Sequence, residues 1–265
     1  MINIKDIIYE YKIKGYSQAH ATARVVQDIL LMKLSKSIYK NNVTIKGGVV
    51  MFNITKQIRR ATVDIDIDFI HYAIDDKSIE RLFDELNKVN DSIILKINYP
   101  IKELKQLDYS GRRILFTIND TFGNIINNAK LDFGVHKHID IKQEEFIFQI
   151  ESLNQTTSLL INTKEQIVAE KLSSLLRHGI RSTRYKDIYD IYFLITETEL
   201  DVDDVMFILN KMELDGKYID LKEMNRKLDK ILNNSFFCKN ASKPNNQWID
   251  CTYEKVVERL LLFFS

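Results

Sequence analysis

The 265-residue sequence predicts an α/β (α+β) fold, a mixed sheet with flanking helices, followed by an all-helical C-terminal part. Three observations carry that expectation. Val63–Phe69 alternates strictly between apolar and acidic residues, as a strand does, and Asn128–Gly134 alternates again. Between and around such runs lie segments with apolar residues at helical spacing. After Thr163-Lys-Glu-Gln166, a helix-opening capping box, the strand pattern does not return.

In chain order, residues 5–13 and 17–38 read as helices. Ser17 is a suitable N-cap for the second, and Val25, Ile29, Leu30 and Leu34 recur at its helical period. Val43–Lys46 is a short strand broken by Gly47-Gly48, and residues 49–56 form a short helix. After the acidic strand at 63–69, residues 77–89 form an amphipathic helix with Ile79, Leu82, Phe83 and Leu86 on one face. Strands are expected at 92–98, 112–119, 124–135 and 145–150. The capped helix runs to about Arg177 and ends at Gly179. Helices at 185–197, 202–213, 218–233 and 252–264 follow, which places a domain boundary between residues 162 and 163.

Composition narrows the function classes. Apolar residues are 45% of the chain, ample for a core and against disorder. With 38 basic and 37 acidic residues the formal net charge is +1, so any nucleic-acid surface must be a local patch. Cys238 and Cys251 make neither a disulfide framework nor a zinc spacing, which fits a reducing cytoplasm. The N-terminal stretch lacks an apolar signal core, and no apolar run approaches membrane-spanning length, so no membrane partner is expected. Low-complexity linkers and internal repeats are absent. Trp248, Phe263 and Phe264 are expected to pack internally.

The chemistry concentrates on the acidic strand. Asp64, Asp66 and Asp68 stand two apart and so share a face, leaving Ile65, Ile67 and Phe69 for the core. Adjacent carboxylates repel, and such a row persists most readily around a cation; oxygen-only ligands favour Mg2+ or Mn2+. A solvated acidic edge strand would show the same pattern. Upstream, Gly47-Gly48 sits at a strand-to-helix turn, where a backbone can approach phosphate oxygens. On the second alternating strand Lys130 and Asp132 share a face, and Asp132 could supply a third carboxylate to a two-metal site. An ordinary surface ion pair is the simpler alternative there. Lys171 lies on the capped helix. Arg177, Arg181, Arg184 and Lys186 form a local basic cluster ahead of Asp187 and Asp190, one turn apart. A solvated loop before a helix N-terminal acid accounts for that cluster equally well.

Taken in order, Lys46-Gly-Gly48, Arg60-Ala-Thr-Val-Asp-Ile-Asp66, Lys130-Leu-Asp132, Ala169-Glu-Lys171 and Arg184-Tyr-Lys-Asp-Ile-Tyr-Asp190 resemble the AbiEii/AbiGii family of nucleotidyltransferase toxins. The resemblance spans about residues 45 to 195. It implies that the strand-rich part, residues 1–162 by the element pattern, is a polymerase-β-like nucleotidyltransferase domain, and that the protein is a bacterial toxin of a toxin–antitoxin or phage-defence system. The helical part, 163–265, is read from its pattern, and the segment from 200 onward matches none of the family's motifs. It also implies an NTP substrate, Mg2+, a cognate antitoxin, and an RNA acceptor, with the tRNA 3′ end as the expected target. Carried over, Gly47 and Gly48 would cradle phosphate. Asp64, Asp66 and Asp132 would hold the metal with Lys130 beside them. Lys171 would contact the nucleotide phosphates, with Arg184 and Asp187, or alternatively Asp190, in the last motif. Two departures stand out: glycine occupies position 48 where many nucleotidyltransferases place serine, and Asp68 leaves the metal pair as either Asp64/Asp66 or Asp66/Asp68. Transfer to a protein, a nuclease and a non-catalytic binding module are the rival readings.

Overall fold

The computed structural model describes residues 2–70, 74–89, 91–105, 110–136, 140–212 and 218–265. Its contacts divide the chain into two compact units, Met1–Asn162 and Thr163–Ser265.

The first unit opens with two helices, α1 (Ile4–Ile13) and α2 (Gln18–Lys36). Ser17 caps α2 as expected, its hydroxyl accepting from the His20 N–H. Strand β1 (Val43–Lys46) leads into α3 (Gly47–Thr55), which begins at the glycines themselves and two residues earlier than the sequence suggested. Then come β2 (Asp66–Ile70), α4 (Asp76–Asn87), β3 (Ile93–Lys105), β4 (Ser110–Asp120), β5 (Ile125–His136), β6 (Glu144–Ile150) and β7 (Gln155–Ile161). The seven strands form one sheet in the order β3-β4-β5-β2-β1-β7-β6. It is mixed: β2 pairs with β5, and β1 with β7, in parallel, and the remaining pairs are antiparallel. Helix α4 packs on β3 through Ile79, Leu82, Phe83 and Leu86, all buried.

Helix α2 is buried along most of its length, and its polar residues are held by one another. Arg24 donates to Gln27 at 3.2 Å and pairs with Asp28 at 3.2 Å. The Tyr11 hydroxyl donates to Asp28 at 2.6 Å. Burial, reinforced by the Asp28 charge, pushes that phenol far above its usual range. The Arg24 guanidinium also lies 4.4 Å from the Phe52 ring centre. At the far end of α2, Lys33 is buried and bonded to the Leu86 carbonyl and to Asp91.

The second unit is helical among its described residues: α5 (Lys164–His178), α6 (Tyr185–Glu197), α7 (Val202–Lys211), α8 (Leu221–Leu232), α9 (Ser235–Ala241) and α10 (Tyr253–Phe263). Thr163 caps α5 by accepting from the Gln166 N–H. The return arm of the expected capping box is absent, because the Gln166 side chain turns to Glu170 instead. Gly179 terminates the helix with φ near +55°, a value that suits glycine. Leu172, Ile188, Leu194, Leu209, Leu228 and Leu260 are fully buried. Trp248 and Phe264 pack internally, as expected.

Several element boundaries correct the sequence reading. The acidic strand begins at Asp66, so Asp64 precedes it. Strand β7 and helix α9 were not expected, and β3 runs on to Lys105. The end of the helix expected at 202–213 falls at residue 213, outside the described residues.

The buried polar stripe on α2 yields a stability prediction. Asp28→Ala leaves the Arg24 guanidinium buried without its carboxylate, which costs about 3–5 kcal/mol. Urea denaturation of the variant should show a loss of that size, and a loss below about 1 kcal/mol would mean the stripe is not load-sharing in the way described.

Candidate active site

Three strands converge on one cluster. Asp66 stands opposite Lys46 across the β1–β2 pair and opposite Asp132 across the β2–β5 pair. The Asp132 N–H also donates to the Ile65 carbonyl at 2.9 Å. Leu131 and Phe133 turn to the core, as do Ile65 and Ile67, so the alternation places the carboxylates on the other side.

Basic residues occupy the space among these acids. Arg113 on β4 is in register with Asp132 and grips it through two hydrogen bonds, at 2.8 and 2.7 Å. That contact raises the Arg113 pKa further above its ordinary value. Lys130 pairs with Asp64. Lys46 pairs with Asp68 at 2.8 Å. Asp68, expected to share the open acidic face, is instead buried, with Lys46 as its partner. Asp64 is about half exposed.

Part of Asp66 reaches solvent, yet its carboxyl is closely surrounded by protein. Desolvation raises its pKa from 3.8 to about 6, with the Asp132 charge as the next cause and Lys46 opposing. Among the described residues, no three acidic, histidine or cysteine side chains are grouped to hold a metal ion as they stand. The donor chemistry nevertheless fits a divalent cation: the acids are oxygen donors, and the burial and neighbouring carboxylate charge that raise the Asp66 pKa are what a positive ion would offset.

The glycine turn is fitted to this cluster. Gly47 has φ near +64°, and a Cβ there would run into the Asp66 carboxylate, 3.3 Å from its Cγ. Both the backbone and the close approach therefore demand glycine. Gly48 meets Thr62 in the same manner, with a built Cβ 2.7 Å from the threonine Cβ. Lys46, at the N-cap of α3, makes no side-chain capping hydrogen bond.

Lys171, Arg184, Asp187 and Asp190 lie in the second unit. Lys171 is held between Asp187 at 2.6 Å and the fully buried Asp190 at 2.8 Å, so both candidates for the last motif's acid touch it. Arg184 is mostly exposed and approaches Asp187 at 3.9 Å. Sequence reasoning missed Arg113 and the Arg24, Gln27 and Asp28 stripe. The stripe had a signal, since polar residues at i, i+3 and i+4 interrupt an otherwise apolar helix. Arg113 had none, because its role depends on strand register.

The fold is that of known nucleotidyltransferases. It is similar to MenT4, a nucleotidyltransferase toxin from Mycobacterium tuberculosis, with a TM-score of 0.63 and 14% identity over 100% of this chain and 90% of the other. It is also similar to JHP933 from Helicobacter pylori, with a TM-score of 0.53 and 15% identity over 94% of this chain and 92% of that one. No curated protein matches the sequence. The family described as nucleotidyl transferase AbiEii toxin, type IV TA system, matches residues 28–236, and the chain belongs to that family. No helix among the described residues is long and apolar enough to cross a membrane.

The raised Asp66 pKa sets a pH dependence. The unfolded carboxyl ionises near 3.8 and the folded one near 6, so the fold holds the proton more tightly. Stability from this group is full at low pH and is lost as pH rises from about 4 to about 6. Asp66→Asn removes the desolvated charge and should raise the melting temperature by a few degrees at about pH 7.5, on the order of 2 kcal/mol, while leaving it level with wild type near pH 4. Equal melting curves at both pH values would show that the carboxyl is not strained.

Proposed function

We propose that the chain is a metal-dependent nucleotidyltransferase toxin that transfers NMP from an NTP to an RNA, with a tRNA 3′ end as the acceptor and a cognate antitoxin as its partner. The reading is supported above all by Asp66 and Asp132, two carboxylates in register on adjacent parallel strands, set against a glycine turn that admits no side chain. Family membership supplies the reaction class.

In this reading Asp64, Asp66 and Asp132 hold the Mg2+ or Mn2+. Bound there, the divalent ions would screen the triphosphate charge and make the α-phosphorus a better electrophile. Gly47 and Gly48 let the backbone at the start of α3 lie against the phosphates. Arg113 and Lys130 keep the carboxylates apart and oriented before substrate arrives. The acceptor hydroxyl oxygen forms a bond to the α-phosphorus, and the bond from that phosphorus to the bridging oxygen of the β-phosphate breaks. Pyrophosphate carries away the electron pair, and the hydroxyl proton passes to solvent, its loss favoured by the negative charge of Asp132 and by the metal that Asp132 would hold. Positioning and charge neutralisation would supply most of the acceleration. The resemblance assigns Lys171 to the nucleotide phosphates. The exposed Arg181 and Arg184 offer positive charge for an RNA backbone.

The test is incubation of the purified protein with total tRNA, magnesium and each α-labelled NTP in turn, resolved on a denaturing gel. Label should enter RNA with one or two nucleotides, and Asp64→Ala or Asp66→Ala should reduce it by at least about 100-fold in a protein that still melts cooperatively. Label on protein would move the acceptor to a polypeptide. RNA shortened without NTP would replace transfer by nuclease activity, and undiminished labelling in both aspartate variants would remove the site assignment.

A further inference from the structure

We propose that the Thr62 hydroxyl is a phosphate-binding group of this site, supplying the hydroxyl that glycine at position 48 withholds. The inference rests on the nucleotidyltransferase reading above.

Two side chains cannot both occupy the space between position 48 and Thr62. A Cβ built on Gly48 would lie 2.7 Å from Thr62 Cβ, 2.7 Å from its Cγ2 and 2.8 Å from its Oγ1. Atoms at van der Waals contact stand well beyond such distances. The backbone does not explain the glycine, because Gly48, unlike Gly47, is not among the residues with positive φ. What excludes a side chain there is Thr62. The space beside position 48, where the resemblance expects a serine, is thus filled from a different part of the chain by a residue that also ends in a hydroxyl.

The Thr62 hydroxyl is free to donate. Its oxygen accepts the Asp64 N–H at 3.3 Å, and its proton goes to no acceptor among the described residues. It is also fixed in place. The Thr62 carbonyl accepts from Gln27 at 2.9 Å, Gln27 is 1% exposed, and Gln27 in turn accepts from Arg24 at 3.2 Å. The buried stripe on α2 therefore anchors the residue that stands two before Asp64 and against the first turn of α3. The Thr62 hydroxyl, its oxygen already engaged by the Asp64 N–H, has its proton left to donate. Next to a glycine turn that admits phosphate, it suits a nonbridging phosphate oxygen of a nucleoside triphosphate.

The experiment measures equilibrium binding of the four NTPs, each in turn with magnesium, by calorimetry on the full chain. Thr62→Val keeps the volume and removes the hydroxyl; it should weaken binding roughly 10- to 100-fold with little change in melting temperature. Thr62→Ser should stay within about threefold of wild type. Thr62→Gly, which removes the Cβ that blocks position 48, combined with Gly48→Ser moves the hydroxyl to the other side of the same space and should recover most of the affinity lost in Thr62→Gly alone. Wild-type affinity in Thr62→Val would overturn this inference and leave the nucleotidyltransferase reading standing. A double variant no better than Thr62→Gly would overturn it too, since the loss would then belong to packing. Wild-type protein that binds none of the four NTPs would overturn both.

Discussion

Carboxylates on neighbouring strands repel, and the first unit is organised around holding two of them side by side. Asp66 and Asp132 face each other across a parallel strand pair, and the Asp66 pKa is raised first by burial and then by the Asp132 charge. Each adjoining strand answers with a cation: Lys46 from β1, Arg113 from β4 and Lys130 from β5 itself. None of these contacts is local in sequence except through register. Shifting β5 by one residue would send Asp132 into the core and Leu131 into the cluster.

Register is set on the opposite face of the same strands. Ile65, Ile67, Phe69, Leu131 and Phe133 are all buried, and the Phe69 and Phe133 rings stack at 5.1 Å with planes 12° apart. Burying such side chains is worth about 1.5–3 kcal/mol each, more than the repulsion across the sheet can remove. The core thus fixes the site's geometry without touching its polar groups. Helix α2 adds a second constraint, since its buried Gln27 reaches the Thr62 carbonyl in the segment that carries Asp64.

What the sequence made legible follows the same division. Strict alternation identified the central strands, and caps at Ser17 and Thr163 located two helix starts, because these signals act over a few residues. Strand β7 escaped because its first half, Gln155-Thr-Thr-Ser158, is polar, and its place between β1 and β6 is a tertiary fact. The three aspartates looked equivalent as a pattern. Their environments differ because Asp64 precedes the strand while Asp68 lies deep in an interior one, paired with Lys46. Glycine at 48 read as a departure from pattern, and only the approach of Thr62 gave it a cause.

The same pairing explains why net charge says so little about this protein's ligands. A formal +1 counts Lys46, Arg113, Lys130 and Lys171 as if they faced solvent. Each instead neutralises one or two carboxylates at short range. Those nine charges, four basic and five acidic, largely cancel locally and contribute little to the field at a Debye length, about 8 Å in physiological salt. The field felt by an approaching polyanion comes from residues outside these pairs, such as the exposed Arg181. A chain can therefore be nearly neutral in total, hold an acidic centre, and still carry exposed positive charge elsewhere on its surface.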